Sequence, residues 1–269
     1  MIPARVEYVR ASSLDEALNA LAEPDAKLLA GGQSLLPVLK LRIARPSVLV
    51  DIGRLELGGI DTRDGELWIG ALTTWDELAG APELEQPALA AVSECAAGIG
   101  DLQVRNRGTV GGSLAHADPA SDMPAVLLAL GAWLVVGSPT GERTVGLAEF
   151  FHGPFTTALA ARELITAVVV PAAPAGSGSA YVSVEHPASG FALAGAAALV
   201  GSDGSSTVAV TGVGSRPCLI PADDHTVEAL AEAEVYGDRF APAEYRRHLA
   251  GVVVGRALER ARERAEEAR

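Results

Sequence analysis

Two glycine pairs, Gly31-Gly32 and Gly111-Gly112, restrict the folds open to this chain more than any other feature. Each follows an apolar or β-type run and precedes further regular structure. Gln33 and Ser34 flank the first pair, and Thr109 and Ser113 flank the second. Glycine reaches backbone conformations closed to other residues, and its missing Cβ lets another group approach the main chain closely. Successive N–H groups in such a bend converge on a concavity that suits an anion, and neighbouring hydroxyls add donors without adding charge. Hydrogen bonds to a charged acceptor contribute about 1.5–3 kcal/mol each, so about four or five of them anchor a pyrophosphate. Neither pair is a Walker loop, because no Gly-Lys-Ser/Thr follows, and neither is a Gly-x-Gly-x-x-Gly fingerprint. Gly98-Ile99-Gly100 lacks the third glycine. Spacing alone leaves a plainer reading open, tight turns in a chain of 269 residues that contains 29 glycines.

The charge balance sharpens the question. With 21 Lys and Arg against 34 Asp and Glu the net charge is −13, so a nucleic acid is repelled over most of the surface. A phosphate-bearing ligand must then be held by local dipoles and hydrogen bonds. The arginine-rich end, Arg256 to Arg269, alternates with Glu259, Glu263, Glu266 and Glu267, which marks a solvated helix with i,i+4 pairs. No stretch approaches the ~20 apolar residues of a membrane helix. The first residues lack a signal-peptide core, and the only Arg-Arg pair is Arg246-Arg247. The expectation is a cytoplasmic protein with at most peripheral membrane contact. Cys95 and Cys218 are far apart and form no Cys-x-x-Cys. They are expected to be reduced thiols, and two cysteines cannot ligate an iron–sulfur cluster that usually takes four. The five histidines show no zinc-site spacing, and no Gly-x-Ser-x-Gly elbow occurs, so neither a metal centre nor a hydrolase nucleophile is expected.

Periodicity predicts alternating helices and strands. Ser13 with Glu16, and Thr74 with Glu77, are capping-box patterns. Strands are expected at Lys27–Leu29, Val48–Ile52, Leu67–Ile69, Trp133–Val136 and Glu163–Val170, with helices at Leu35–Leu41, Ala88–Ala97 and Met123–Leu130. Pro171 to Ser179 reads as the clearest linker. Beyond it, strands are expected at Ala180–Val184, Ala192–Val200 and Thr207–Val213, then helices from Asp224 to Val235 and from Pro242 towards Arg269. The division expected is residues 1–172, with subdomains of about 1–54 and 55–172, a linker at 173–179, and a C-terminal unit at 180–269.

Longer words carry more information than the glycine pairs. The stretches LLAGGQSLLPVLKLRIARPSVLVDI (Leu28 to Ile52) and IGDLQVRNRGTVGGSLAHADPASDMPAVLLAL (Ile99 to Leu130) closely resemble the FAD-binding medium subunit of the carbon monoxide, xanthine and caffeine dehydrogenase group. So do FFHGPFTTAL (Phe150 to Leu159) and AEYRRHLAGVVVGRAL (Ala243 to Leu258), in the same order along nearly the whole chain. The resemblance implies an α+β fold: a vanillyl-alcohol-oxidase-type (PCMH-like) FAD-binding domain of two subdomains, with a small C-terminal domain. It implies non-covalent FAD, with Ala30, Gly31, Gly32, Gln33 and Ser34 and with Thr109, Val110, Gly111, Gly112 and Ser113 wrapping the pyrophosphate. Leu28 and Leu29 would line the adenosine end beside Ile99 and Gly100, and Asp122 would meet ribityl or adenosine hydroxyls. Ile165 would touch the ring system and Phe191 would lie near its face. Asp122 also reads as a helix N-terminal residue favoured by the dipole, and Phe191 as core.

The resemblance further implies an electron-transfer subunit that lacks a catalytic acid or base of its own. It would work with a large molybdenum-cofactor subunit and a small [2Fe–2S] subunit, as a dimer of heterotrimers, molybdopterin and clusters belonging to those partners. The sequence departs from the pattern at His186-Pro187-Ala188-Ser189-Gly190, where many relatives carry a basic pair and an acidic residue. That departure keeps a rival open, a self-sufficient flavoprotein oxidase or dehydrogenase on the same fold.

Overall fold

A computed structural model describes residues 2–223, 226, 229–230 and 234–269. The first layer is a parallel three-stranded sheet in the order β1–β3–β2, built from β1 (Glu7–Arg10), β2 (Lys27–Leu29) and β3 (Val48–Asp51). Helices α1 (Leu14–Ala20) and α2 (Leu35–Lys40) lie between the strands in sequence, as parallel pairing requires a crossover. The central strand is the apolar one: Val48, Leu49 and Val50 are buried. At α1 the Ser13 hydroxyl accepts from the Glu16 N–H, but the Glu16 carboxylate accepts from the Ser12 N–H at 2.7 Å. The reciprocal bond expected at Ser13 is therefore displaced by one residue.

The second layer is an antiparallel sheet in the order β4–β5–β10–β6–β7. It contains β4 (Ile60–Arg63), β5 (Glu66–Gly70), β6 (Trp133–Ser138), β7 (Gly141–Gly146) and the central β10 (Leu164–Val170); β8 (Phe151–Gly153) and β9 (Thr156–Thr157) pair separately. Between β5 and β6 run α3 (Trp75–Ala79), α4 (Ala90–Gly98), α5 (Leu102–Arg105), α6 (Val110–His116) and α7 (Met123–Ala129), and α8 (Leu147–Phe150) follows β7. Thr74 and Glu77 close the full reciprocal box on α3. Strand β10 ties the layers together. Leu164 joins the core of the parallel sheet, whereas Ile165, Val168 and Val170 join the core under α4 and α7.

The third layer is the antiparallel sheet β11 (Gly178–Glu185), β12 (Ala192–Val200), β13 (Ser206–Thr211) and β14 (Cys218–Ile220), followed by the long helix α9 (Ala243–Glu267). Most of the helix expected from Asp224 to Val235 lies outside the described residues. The sequence Ala-Leu-Ala-Gly-Ala-Ala-Ala-Leu-Val of β12 is small on both faces because both are covered. Ala194, Ala196, Ala198 and Val200 face Val253, Ala257 and Ala261 of α9, while Ala197, with Tyr181 and Ala209, joins the α4–α7 core. A Cβ at Gly178 would overlap the main chain of α9 at Ala261. Strand β11 therefore begins two residues earlier than expected. Among the described residues no helix is long and apolar enough to cross a membrane.

Charge fastens the third layer to the second. Glu94 of α4 accepts from Arg264 at 2.9 Å and pairs with Arg260 at 2.6 Å, both from α9. Glu94 also accepts from the Tyr181 N–H at 3.3 Å, and Arg264 donates to the Ser179 carbonyl at 2.6 Å. The side chains of Glu94 and Arg264 are 21% and 19% exposed, so water screens the pair only in part. Glu94→Gln is expected to lower stability by about 1.5 kcal/mol, read as an earlier urea midpoint at unchanged slope.

Candidate functional site

The first glycine pair sits in the turn between β2 and α2. Gly32 has φ +76°, a left-handed conformation that favours glycine. A Cβ on Gly31 would overlap the carbonyl oxygen of Arg107 and lie 2.7 Å from its carbon and 3.0 Å from the Gly108 Cα. The missing side chain thus lets this turn meet the Arg107-Gly108 segment main chain to main chain. Among the described residues, the N–H groups of Gly31, Gly32, Gln33 and Ser34 have no acceptor within the chain. Ser34 precedes α2 without a side-chain capping bond. Four neighbouring donors, with Gly31 and Gly32 half-buried, form the concavity expected from the sequence.

The second pair is not a bend. Gly111 and Gly112 lie in the first turn of α6, with Thr109 as its cap. Their donors are already used. Val110 donates to the Thr73 carbonyl at 3.0 Å, Gly111 to the Ala71 carbonyl at 2.9 Å and Gly112 to the Thr109 hydroxyl at 3.2 Å. Ser113 donates to the Thr109 carbonyl at 3.0 Å. The expectation of a second set of free amides is therefore corrected. Glycine is a poor helix former, which hid the helix, and the reason for glycine here is packing. A Cβ on Gly111 would stand 2.6 Å from the Ala71 Cβ, and one on Gly112 would stand 2.7 Å from the capping Thr109 hydroxyl oxygen and meet the Ala30 Cβ at an ordinary 3.8 Å. Gly112 thus places the start of α6 directly beside the first turn.

The other candidates fall into two groups. Leu28 and Leu29 lie on β2 and lead into the turn, Leu29 closing on Gly32. Ile99 and Gly100 follow α4, and Arg105 donates to both carbonyls, at 3.3 and 3.1 Å, holding the chain that leads to Arg107. Ile165 is buried in the core beside a bulge in β10, where the Thr166 carbonyl accepts from Ala71 and the Ala71 carbonyl from Gly111. Ile165 thus reaches the glycine segment through main-chain bonds. Leu28 and Leu29 thus adjoin the first turn, whereas Ile165 is linked to the second glycine pair.

Asp122 and Phe191 lie towards the third layer. Asp122 stands at the N-terminus of α7, as its reading as a helix N-terminal residue has it, but its side chain makes no capping bond there. Its carboxylate accepts from the Tyr181 hydroxyl of β11. Both line a polar cavity of about 280 Å³ with Glu94, Cys95, Gly98, Ser183, Glu185 and Arg260. Burial, reinforced by Glu185, pushes the Asp122 carboxyl up to about 6, and the Tyr181 bond only partly opposes this. Phe191 is 48% exposed at the β11–β12 turn, so the reading of it as core packing is corrected. That turn is closed by bonds to His186, whose ring packs on Phe240 at 4.4 Å.

Sequence reasoning missed Ala71, Thr73, Trp75, Arg107 and Gly108, which position the glycine segments, and Tyr181. Of these only Arg107 and Gly108 carried a signal, both standing inside a matched word; a Cβ on Gly108 would lie 2.7 Å from the Trp75 ring nitrogen.

Residues 4–173 match the family of FAD binding domains in molybdopterin dehydrogenase. The chain belongs to this family. It is 40% identical to the 6-hydroxypseudooxynicotine dehydrogenase complex subunit alpha of Paenarthrobacter nicotinovorans, over 98% of this chain and 97% of that one. It is 39% identical to the carbon monoxide dehydrogenase medium chain of Hydrogenophaga pseudoflava, over 96% and 97%. Among solved structures, a chain of the carbon monoxide dehydrogenase from that organism superposes with a TM-score of 0.92 at 38% identity, covering 98% of this chain and 99% of that one. A chain of quinoline 2-oxidoreductase from Pseudomonas putida 86 gives 0.91 at 31%, covering 100% and 99%. The α+β fold of the FAD-binding medium subunits is thereby established for this chain. It is an oxidoreductase subunit whose cofactor is FAD.

Proposed function

We propose that this chain is the electron-transfer subunit of a molybdenum-containing hydroxylase. The observation that carries the cofactor's placement is the turn at Gly31–Ser34, four unpaired amides held against Arg107 by a residue that tolerates no Cβ. In a chain of net charge −13, such a cradle suits a diphosphate that no basic cluster would hold. Gly31 to Ser34 bind the pyrophosphate, with Ala30 and the start of α6 (Thr109 to Ser113) forming the facing wall. Leu28, Leu29, Ile99 and Gly100 flank the adenosine end. Asp122 accepts from ribityl or adenosine hydroxyls, and Ile165 and Phe191 border the ring. The unit formed by residues 1–172 holds the non-covalent FAD, and residues 180–269 cover it.

FAD, when bound, supplies the ability to take up electrons singly and pass them on. The protein positions it, shields it and tunes its surroundings, and no side chain serves as a general acid or base. Electrons would come from [2Fe–2S] clusters in a small subunit, supplied in turn by molybdopterin in a large one, and leave to an external acceptor. Relatives named as medium chains or as subunits of a complex support the presence of partner subunits; the arrangement proposed for them is a dimer of heterotrimers. Purified with added FAD, the chain is expected to be yellow at near one flavin per chain and to bind the two partner subunits. Its own flavin is expected to stay oxidised with small organic substrates. Rapid reduction by such a substrate in the isolated chain would replace this reading with that of a self-sufficient dehydrogenase.

A further inference from the structure

We propose that Tyr181 is a positioning residue for the cofactor, its phenol holding the Asp122 carboxylate in the cavity between α4, α7 and β11. The inference deepens the reading of Asp122 as a ligand of FAD and rests on it. Three observations support it. The Tyr181 hydroxyl donates to Asp122, and Tyr181 is 8% exposed, so its phenol has little solvent to turn towards. Gly195 of β12, which pairs with Ser183 rather than with Tyr181 itself, has the phenol against its missing side chain: a Cβ there would overlap the hydroxyl oxygen and lie 3.1 Å from the ring carbon that bears it. The main chain of Tyr181 is fixed as well, its N–H donating to Glu94, which Arg264 and Arg260 of α9 grip in turn. A chain of bonded groups thus runs from the C-terminal helix to the one carboxylate assigned to the cofactor. The third layer sets that carboxylate's position, and so is part of the binding site.

The charged and titratable groups around Asp122 are Glu94 and Cys95 from α4, Tyr181 and Glu185 from β11, and Arg260 from α9. Glu94 is paired with Arg260 and Arg264, leaving Glu185 as the nearby negative charge that disfavours ionisation of Asp122. An ionised Asp122 is the better acceptor for a hydroxyl donor. FAD affinity should therefore rise as pH increases through about 6. Losing the phenol removes a donor that favours ionisation, so the inflection should move to higher pH.

The test titrates FAD into the flavin-stripped full-length chain from pH 5 to 8.5, following flavin fluorescence, for wild type, Tyr181→Phe, Gly195→Ala and Asp122→Asn. Tyr181→Phe is expected to weaken binding about tenfold at pH 8 and to shift the inflection upward. Gly195→Ala, which keeps the phenol but displaces it, should do the same. Asp122→Asn should weaken binding and abolish the inflection. A Tyr181→Phe protein with wild-type affinity and inflection, beside an Asp122→Asn protein that loses both, overturns the positioning role alone. An Asp122→Asn protein that binds as wild type overturns the underlying reading of Asp122 and the proposal with it. Should Tyr181→Phe melt early without flavin, Gly195→Ala decides: an unshifted inflection there rejects the proposal.

Discussion

Gly31→Ala is expected to weaken FAD binding by at least about 100-fold while leaving the chain folded. The new Cβ would overlap the Arg107 carbonyl oxygen, a main-chain atom that has no rotamer to move aside. The turn must withdraw from the Arg107-Gly108 segment, and its four unpaired amides then no longer converge. Losing two charge-assisted hydrogen bonds at about 1.5–3 kcal/mol each gives the expected factor, since ~1.4 kcal/mol is tenfold in affinity. Gly31 lies at a surface turn, so the cores under α4, α7 and α9 are not disturbed. Gly251→Ala is the control. That glycine lies on α9 with open space around its Cβ position, so the substitution should leave binding unchanged and raise stability slightly. Equilibrium titration with FAD, with circular dichroism to verify folding, provides the measurement.

The second large effect runs towards greater stability. Asp122→Asn is expected to stabilise the flavin-free chain by about 3 kcal/mol at pH 8. Burial raises the Asp122 carboxyl from 3.8 to about 6 in the folded protein, and each unit corresponds to ~1.36 kcal/mol. The sign follows from the raised value. Such a group favours the fold fully below its unfolded value of 3.8, and this contribution is lost as pH rises through about 6. At pH 8 wild type carries the whole cost of an ionised buried carboxylate, whereas asparagine carries none and still accepts from Tyr181. At pH 5 the advantage should fall to about half. Urea midpoints at the two pH values measure it, and a gap that does not narrow between pH 8 and pH 5 would contradict the account. A residue that costs stability while facing a polar cavity is what a ligand-binding role explains.

Much of this was legible in the sequence, for identifiable reasons. Local signals gave local structure: Thr74 and Glu77 form their capping box, and the buried runs of β3, β10 and β12 are strands. Short exposed strands such as β7 and β9 carried little apolar pattern and went unseen. The turn at Gly31-Gly32 was readable because only a positive φ or a close approach requires glycine there, and the structure shows both. Gly111-Gly112 misled for the same reason. Gly111 answers to Ala71, forty residues earlier, a tertiary demand that no local pattern reveals. The linker expected from Pro171 to Ser179 ends in residues packed against α9 and α4, because Gly178 and Ser179 meet Ala261, Arg264 and Ala91 across long sequence distances. Tyr181 was invisible on the same ground: its partner, Asp122, is 59 residues away.

Hydrogen–deuterium exchange, resolved to single amides with and without FAD, tests the central claim most directly. The account predicts strong protection on FAD addition at Gly31, Gly32, Gln33 and Ser34, whose amides have no acceptor among the described residues. It predicts little change at Val110, Gly111 and Gly112, already bonded to Thr73, Ala71 and Thr109. Saturating FAD that leaves residues 31–34 exchanging freely would contradict it.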